Sequence, residues 1–229
     1  MSRRQLFRLI AYILLGVCFI FLLILYAMYM SAQKLPEFYQ KKLAVSEQAN
    51  ERSNTEMRHK IEQLHNDLQK EDKQWETNIT DNDLNGFFAV ELAKEGANLF
   101  PKEIHSPRLS FSKQQIDFAC RIEQGSIAGV LHIAVQLTVP EPNETVLQIK
   151  SAKVGTLPIS KKLPAKMLTE MLTRKGYNVE SNLDADEPVI RVKLNLKYAK
   201  KYKVQLDALS VQDGVLQLTG SSKKEEKKK

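Results

Sequence analysis

Asp81, Asp83, Asn85 and Gly86, within TDNDLNGFF (residues 80–88), have the side-chain types and spacing of a metal loop. D-x-D-x-N-G is the front half of an EF-hand calcium loop, which closes with a bidentate glutamate at its twelfth position. That position holds Leu92. Glu91 is one place short and points about 100° away on a helix. The same residues also read as a helix start. Thr80 and Asp83 make a capping pair, and Asp81 and Asp83 sit at the positive end of the helix dipole. Leu84, Phe87, Phe88 and Leu92 then share one face, and Gly96 serves as the C-cap. The sequence therefore predicts a helix here and no metal.

The remaining candidates for chemistry are isolated. His59 and His65 are six apart, the wrong spacing for a helical zinc pair, and His132 falls on the polar face of a strand, as a solvated residue. G-x-S-x-G, C-x-x-C, H-E-x-x-H and phosphate-cradling glycine loops are absent from the sequence. The acidic stretch 184–187 reads as a solvated turn. Asn78 and Asn143 stand in N-x-T acceptor patterns. No catalytic residue and no cofactor is predicted, and nothing argues for an enzyme. The net charge of +7 is concentrated at the chain ends. Basic clusters at 161–166 and 197–203 lack the interleaved aromatics of nucleic-acid binders and suit anionic headgroups or envelope polymers better.

Residues 9–30 carry no charge and are long enough to cross a hydrocarbon core of about 30 Å. A cleavable signal has a hydrophobic region of roughly 7–15 residues and a small-x-small exit. This run is longer, and Tyr29, Met30 and Ser31 offer no such exit, so the reading is an uncleaved anchor. Arg3, Arg4 and Arg8 predict a cytoplasmic N-terminus with the rest of the chain extracytoplasmic, against an opposing vote from Lys34, Lys41 and Lys42. Cys18 lies in the apolar run, which leaves Cys120 without a soluble partner and the domain without a disulfide framework.

A glycine-free polar stretch follows the anchor. Its seam runs through Leu43, Glu47, Asn50, Asn54, Met57, Ile61, Leu64 and Leu68, and only the last two heptads are apolar. The expectation is a helical spacer lying on its own domain or in solvent, with a weak parallel homodimer as the alternative. From Ser106 the period changes to two. Leu109 and Phe111, then Ile116, Phe118, Cys120 and Ile122, and then Ile127, Leu131, Ile133, Val135, Leu137 and Val139 mark strands apolar on one face only. Turns are expected at Gly125, at PEPNE and at Asp213-Gly214. KLPAKMLTEMLTRKGY is a second helix, with Pro164 in its first turn, Met167, Leu168, Met171 and Leu172 as its stripe, and Gly176 as its stop. VIRVKLNL (189–196) is another strand, with Ile190, Val192, Leu194 and Leu196 on one face, and the lysine-rich end reads as disordered.

The order of anchor, "TDNDLN" helix, paired strands and then LQIKSAKVGTLPISKKLPAKMLTEML (147–172) resembles the YpmS-like family of single-pass bacterial envelope proteins. The resemblance covers roughly residues 75–220 and implies a lipid-binding-like fold in which a curved sheet wraps helices.

The expected architecture is α+β. A cytoplasmic tail (1–8), transmembrane anchor (9–32) and helical stalk (33–74) precede an extracytoplasmic domain (75–220) and a disordered tail (221–229). In the domain, a curved antiparallel sheet of about six or seven strands packs on two helices. Such a sheet either is filled or leaves an apolar groove. The leading expectation is a lipid or other hydrophobic ligand held between the face of Leu131, Ile133, Val135, Leu147 and Ile149 and the helix of Leu84, Phe87 and Phe88. Lys161, Lys162 and Lys166 would bias it towards anionic headgroups. Expected partners are membrane lipid and envelope proteins, not nucleic acid. A non-catalytic assembly subunit of an envelope complex is the alternative.

Overall fold

An uncharged run of this length settles into a helix because helix satisfies every backbone group within the segment. In the computed structural model it lies in α1 (Arg3–Ala32), whose stretch Leu14–Ala32 is long and apolar enough to cross a membrane. The structure describes residues 3–70, 73–91, 94, 100, 103–124, 127–194, 197–198 and 202–224. Leu92, the Gly96 cap, the Gly125 turn, Asn195, Leu196 and the last five residues lie outside these.

Pro36 separates α1 from α2 (Glu37–Leu43), and Ser46 caps α3 (Glu47–Leu68) by accepting from Ala49 N at 3.3 Å. Next come β1 (Lys73–Thr80), α4 (Asp81–Glu91), β2 (Ile104–Ser112), β3 (Gln115–Gln124), β4 (Ile127–Glu141), β5 (Glu144–Val154) and β6 (Leu157–Pro158). The chain closes with α5 (Lys162–Arg174), β7 (Asn178–Asn182), β8 (Val189–Lys193), β9 (Lys197–Tyr198), β10 (Tyr202–Gln212) and β11 (Val215–Lys224). The protein is α+β, and its main sheet is antiparallel with seven strands, ordered β2-β3-β4-β5-β8-β7 with β6 beside β5.

The remaining strands form a second sheet, β1-β11-β10-β9, where a single sheet was expected. β1 pairs along its whole length with β11, from Lys73↔Ser222 to Thr80↔Val215. The boundaries at 75 and 220 therefore move outward. Ser222 is fully buried, and the strand holding it runs to Lys224, so residues 221–224 are not a disordered tail.

The 33–74 segment is not a free stalk. α2 covers the back of the main sheet, where Tyr39 packs on Ala119 and Val130, so β3 and β4 bury apolar residues on both faces. α3 buries Asn54 and Met57, and its Leu64 and Leu68 pack on Trp75, Val204 and Leu206 of the second sheet. The heptad seam is thus largely occupied by the protein's own domain. α1 also meets the sheet directly. Thr156 N donates to Ser31 O at 3.0 Å and Gln33 Nε2 to Ala128 O at 2.6 Å. Gly155, at φ +60°, lies against the backbone of Ser31 and Ala32, where any Cβ would collide.

The outer edge of β2 is closed without a further strand. Tyr39 Oη donates to Ser106 O at 2.9 Å, and Gly214 N, in the β10–β11 turn, donates to Phe111 O at 3.0 Å. Between them, Asn85 of α4 grips Leu109: Nδ2 donates to Leu109 O at 2.7 Å, and Oδ1 accepts from Leu109 N at 2.8 Å. A second asparagine joins the sheets. Asn143, at φ +61°, accepts from Leu206 N at 2.8 Å through Oδ1.

Asn85 is 3% exposed, so its removal strands two buried backbone groups. Asn85→Ala is expected to destabilise the protein by about 3 kcal/mol, since each buried unsatisfied group costs about 1–3 kcal/mol. Denaturant titration checks this. A loss below about 1 kcal/mol would mean that the clamp is not structural.

Candidate functional site

The acidic run at residues 80–88 is built into the fold at every polar position. Thr80 Oγ1 accepts from Asp83 N at 3.1 Å and Asp83 Oδ2 accepts from Thr80 N at 2.7 Å, a reciprocal cap. Asp81 and Asp83 also receive Lys42 Nζ (2.8 Å) and Lys60 Nζ (2.7 Å) from α2 and α3. Gly86 lets α3 and α4 cross closely, because a Cβ there would sit 2.5 Å from Ser53 Cβ. The run that resembles half a calcium loop therefore knots three helices to the edge of β2.

The concave site lies elsewhere. A cleft of about 260 Å³ opens between the main sheet and α5, and all of its lining side chains are apolar. Leu131, Ile133 and Val135 of β4, Ile149 of β5 and Phe118 of β3 form one wall. Pro164, Met167, Leu168 and Met171 of α5 form the other, with Phe100 and Ile104 at one side. The strands present these residues by alternation, and α5 presents its own at helical spacing. Met167 of the lining is 48% exposed, so the cleft is open to the surface on the α5 side.

Four of the five expected sheet residues, Leu131, Ile133, Val135 and Ile149, line the cleft. Leu147 instead packs beside it on Ile149, Ile190 and Val192. The expected helix is corrected. Leu84 and Phe88 pack on Leu109, Phe111 and Val211 between the two sheets, because the Asn85 clamp seats α4 at the β2 edge. Phe87 lies against Phe88 with ring centroids 6.3 Å apart. Phe88 reaches the cleft only through Phe100, which it meets edge-on at 5.6 Å and which stacks on Phe118 at 5.9 Å. Met167, Leu168 and Met171 were expected as the stripe of a helix packed on the sheet, but not as residues that line the groove.

Of the three lysines, Lys162 Nζ is 2.9 Å from Asp184 Oδ1, an exposed pair. Glu187 is held below the usual carboxylate range by the hydrogen bond from Lys150, with a smaller contribution from Lys161. Lys166 is exposed and, among the described residues, has no ion pair. The acidic stretch 184–187 is thus an internal counter-charge. Asn143, within its acceptor pattern, has its side chain engaged by Leu206.

Titratable pairs lie outside the cleft. His132 is not a solvated strand residue: its Nε2 is 3.0 Å from Asp117 Oδ1, and the Phe38 ring lies over it at 5.4 Å. Burial pushes the Cys120 thiol up to about 12, so the residue stays protonated and unreactive. No protein-family model matches the chain, and no curated protein or solved structure does either.

Burial opposes ionisation of Asp83, but the bonds from Lys60 and Thr80 outweigh it and hold the carboxyl below its usual range. A depressed carboxylate contributes stability above its unfolded value, near 3.9, and loses it as pH falls through the folded value. The stability gap between wild type and Asp83→Asn should therefore narrow below about pH 4, as read by denaturant midpoints across pH. A gap independent of pH would exclude this linkage.

Proposed function

We propose that the protein is a membrane-anchored, non-catalytic module that holds a hydrophobic chain of the acyl class in the cleft between the main sheet and α5. The observation that carries this reading is a surface-open cleft lined only by apolar side chains. Water in such a cleft is poorly bonded, and each methylene that replaces it gains about 0.8 kcal/mol. At about 260 Å³ the cleft lies just below the roughly 300–1,000 Å³ of small-molecule sites, which favours one chain over a whole diacyl lipid.

The position of the cleft supports the same reading. α1 ends against Gly129 and Gly155, and Leu131 lies two residues further along β4, a rise of about 7 Å. With α1 retained as an anchor and Arg3, Arg4 and Arg8 on the cytoplasmic side, the near end of the cleft sits close to the outer headgroups. The bonds from Thr156 and Gln33 favour a retained helix, since cleavage would discard contacts the sheet uses. A chain already in the bilayer is out of water, so its transfer into the cleft is nearly neutral, which suits a carrier or sensor. Lys166 supplies a free cation for an anionic headgroup. The YpmS-like resemblance belongs to the same reading.

The test is native mass spectrometry of the full chain released from mild micelles, with uptake of a fluorescent fatty acid. We expect retained lipid, saturable uptake and at least a tenfold weaker probe affinity in Ile133→Trp, which fills the cleft. Absence of lipid and of uptake would favour the assembly-subunit alternative.

A further inference from the structure

Among the described residues, Arg108 is a buried cation without a counter-charge. It is 8% exposed, its Nε has no hydrogen-bond partner, and Nη1 donates only to the carbonyl of its neighbour Pro107, at 2.8 Å. Among the described residues no carboxylate lies within ion-pair distance of it. Tyr39 cannot supply the charge, because burial raises its phenol and its Oη already donates to Ser106 O. A guanidinium does not escape burial by losing its proton at ordinary pH. An unpaired buried charge is costly enough to be rare in a structure that lacks its ligand.

The backbone around Arg108 is also unusual. β2 shifts register between His105 and Arg108, and Ser106 in that bulge has φ +48°, uncommon for a residue other than glycine. Bulges re-aim side chains. Arg108 pairs with Ala119, so it lies on the face opposite the apolar cleft. There it lines a separate cleft of about 460 Å³ with Ala89, Val90 and Lys94 near the end of α4 and Glu47 and Glu51 at the start of α3. Lys94 bonds Glu91 at 2.8 Å, while Glu47 and Glu51 are exposed.

We propose that this cleft binds a phosphate-type oxyanion, with Arg108 as its anchor. The planar fork of the guanidinium matches two oxygens of such a group. Glu47 and Glu51 at the rim oppose a multiply charged anion and favour a phosphate ester that also carries an ammonium group. The group can come from free phosphate or from a lipid headgroup, and the two are separable by affinity.

The experiment uses the full chain in non-ionic micelles with labelled arginine, following the Arg108 Nε–H resonance at constant ionic strength. Inorganic phosphate is titrated in one arm and O-phosphoethanolamine in the other. We expect a saturable shift of that single resonance. Tighter binding of O-phosphoethanolamine would assign the headgroup source, and tighter binding of phosphate the free anion. Arg108→Met, which lacks that resonance, should abolish the binding heat that the same two titrations give in calorimetry, and should leave the ligand-free unfolding midpoint equal to or above that of wild type, because the unpaired charge is gone. If that variant does not fold, Arg108→Lys takes its place, with at least tenfold weaker binding expected from loss of the fork. An Arg108 resonance unmoved by either compound, or a binding heat in the variant equal to that of wild type, would overturn the site.

Discussion

The two hydrogen bonds between Asn85 and the backbone of Leu109 set the geometry on which the other contacts depend. An edge strand must have its outward N–H and C=O groups satisfied or covered, and here a side-chain amide substitutes for a strand. That requirement fixes the rotation and position of α4. Gly86 then faces α3, Asp81 and Asp83 meet the lysines of α2 and α3, and Leu84 and Phe88 fall between the two sheets. With α4 committed to the edge and the second sheet packed over Leu109, Phe111 and Leu137, α5 is, among the described residues, the helix over the rest of the front of the main sheet. One helix of thirteen residues does not fill that trough, and the uncovered part is the apolar cleft.

The same packing explains what the sequence could and could not reveal. Two-residue alternation in β2 to β5, the Asp213-Gly214 turn, the Thr80–Asp83 cap and the stripe of α5 are local patterns, and they stand where they were expected. β1 was invisible because KQWETNIT is mostly polar and its partner, β11, lies at the far end of the chain. The mistaken helix at the cleft has a comparable cause. The stripe of Leu84, Phe87 and Phe88 reads the same whichever sheet it meets, and the residue that decides, Asn85, looks like a metal ligand when seen alone. Arg108 gave no signal either, since a basic residue in an alternating strand reads as an exposed one.

Tight coupling runs from the apolar helix into the sheet. Most of the segment between them is used: Tyr39 and Phe38 cover β3 and β4, and Ser31 and Gln33 bond to the chain at Thr156 and Ala128. A flexible tether would let the domain tumble above the bilayer. Here the end of α1 is docked on the β4–β5 end of the sheet, and with α1 in a membrane, as proposed, it would hold that end at a fixed height, with the near end of the cleft beside it. On the proposed reading, that fixed height would give an otherwise unspecific apolar cleft a reason to meet acyl chains rather than any hydrophobic solute.

The central claim is that the cleft under α5 holds a membrane-derived chain in the intact protein. The most direct measurement places a photoreactive phenylalanine analogue at Leu168, which lines the cleft, and irradiates cells carrying the full chain. The account predicts an adduct whose added mass is that of a lipid, absent when the analogue replaces the exposed Lys193 instead. Adducts at Leu168 made only with another protein, or no adduct at all, would contradict it.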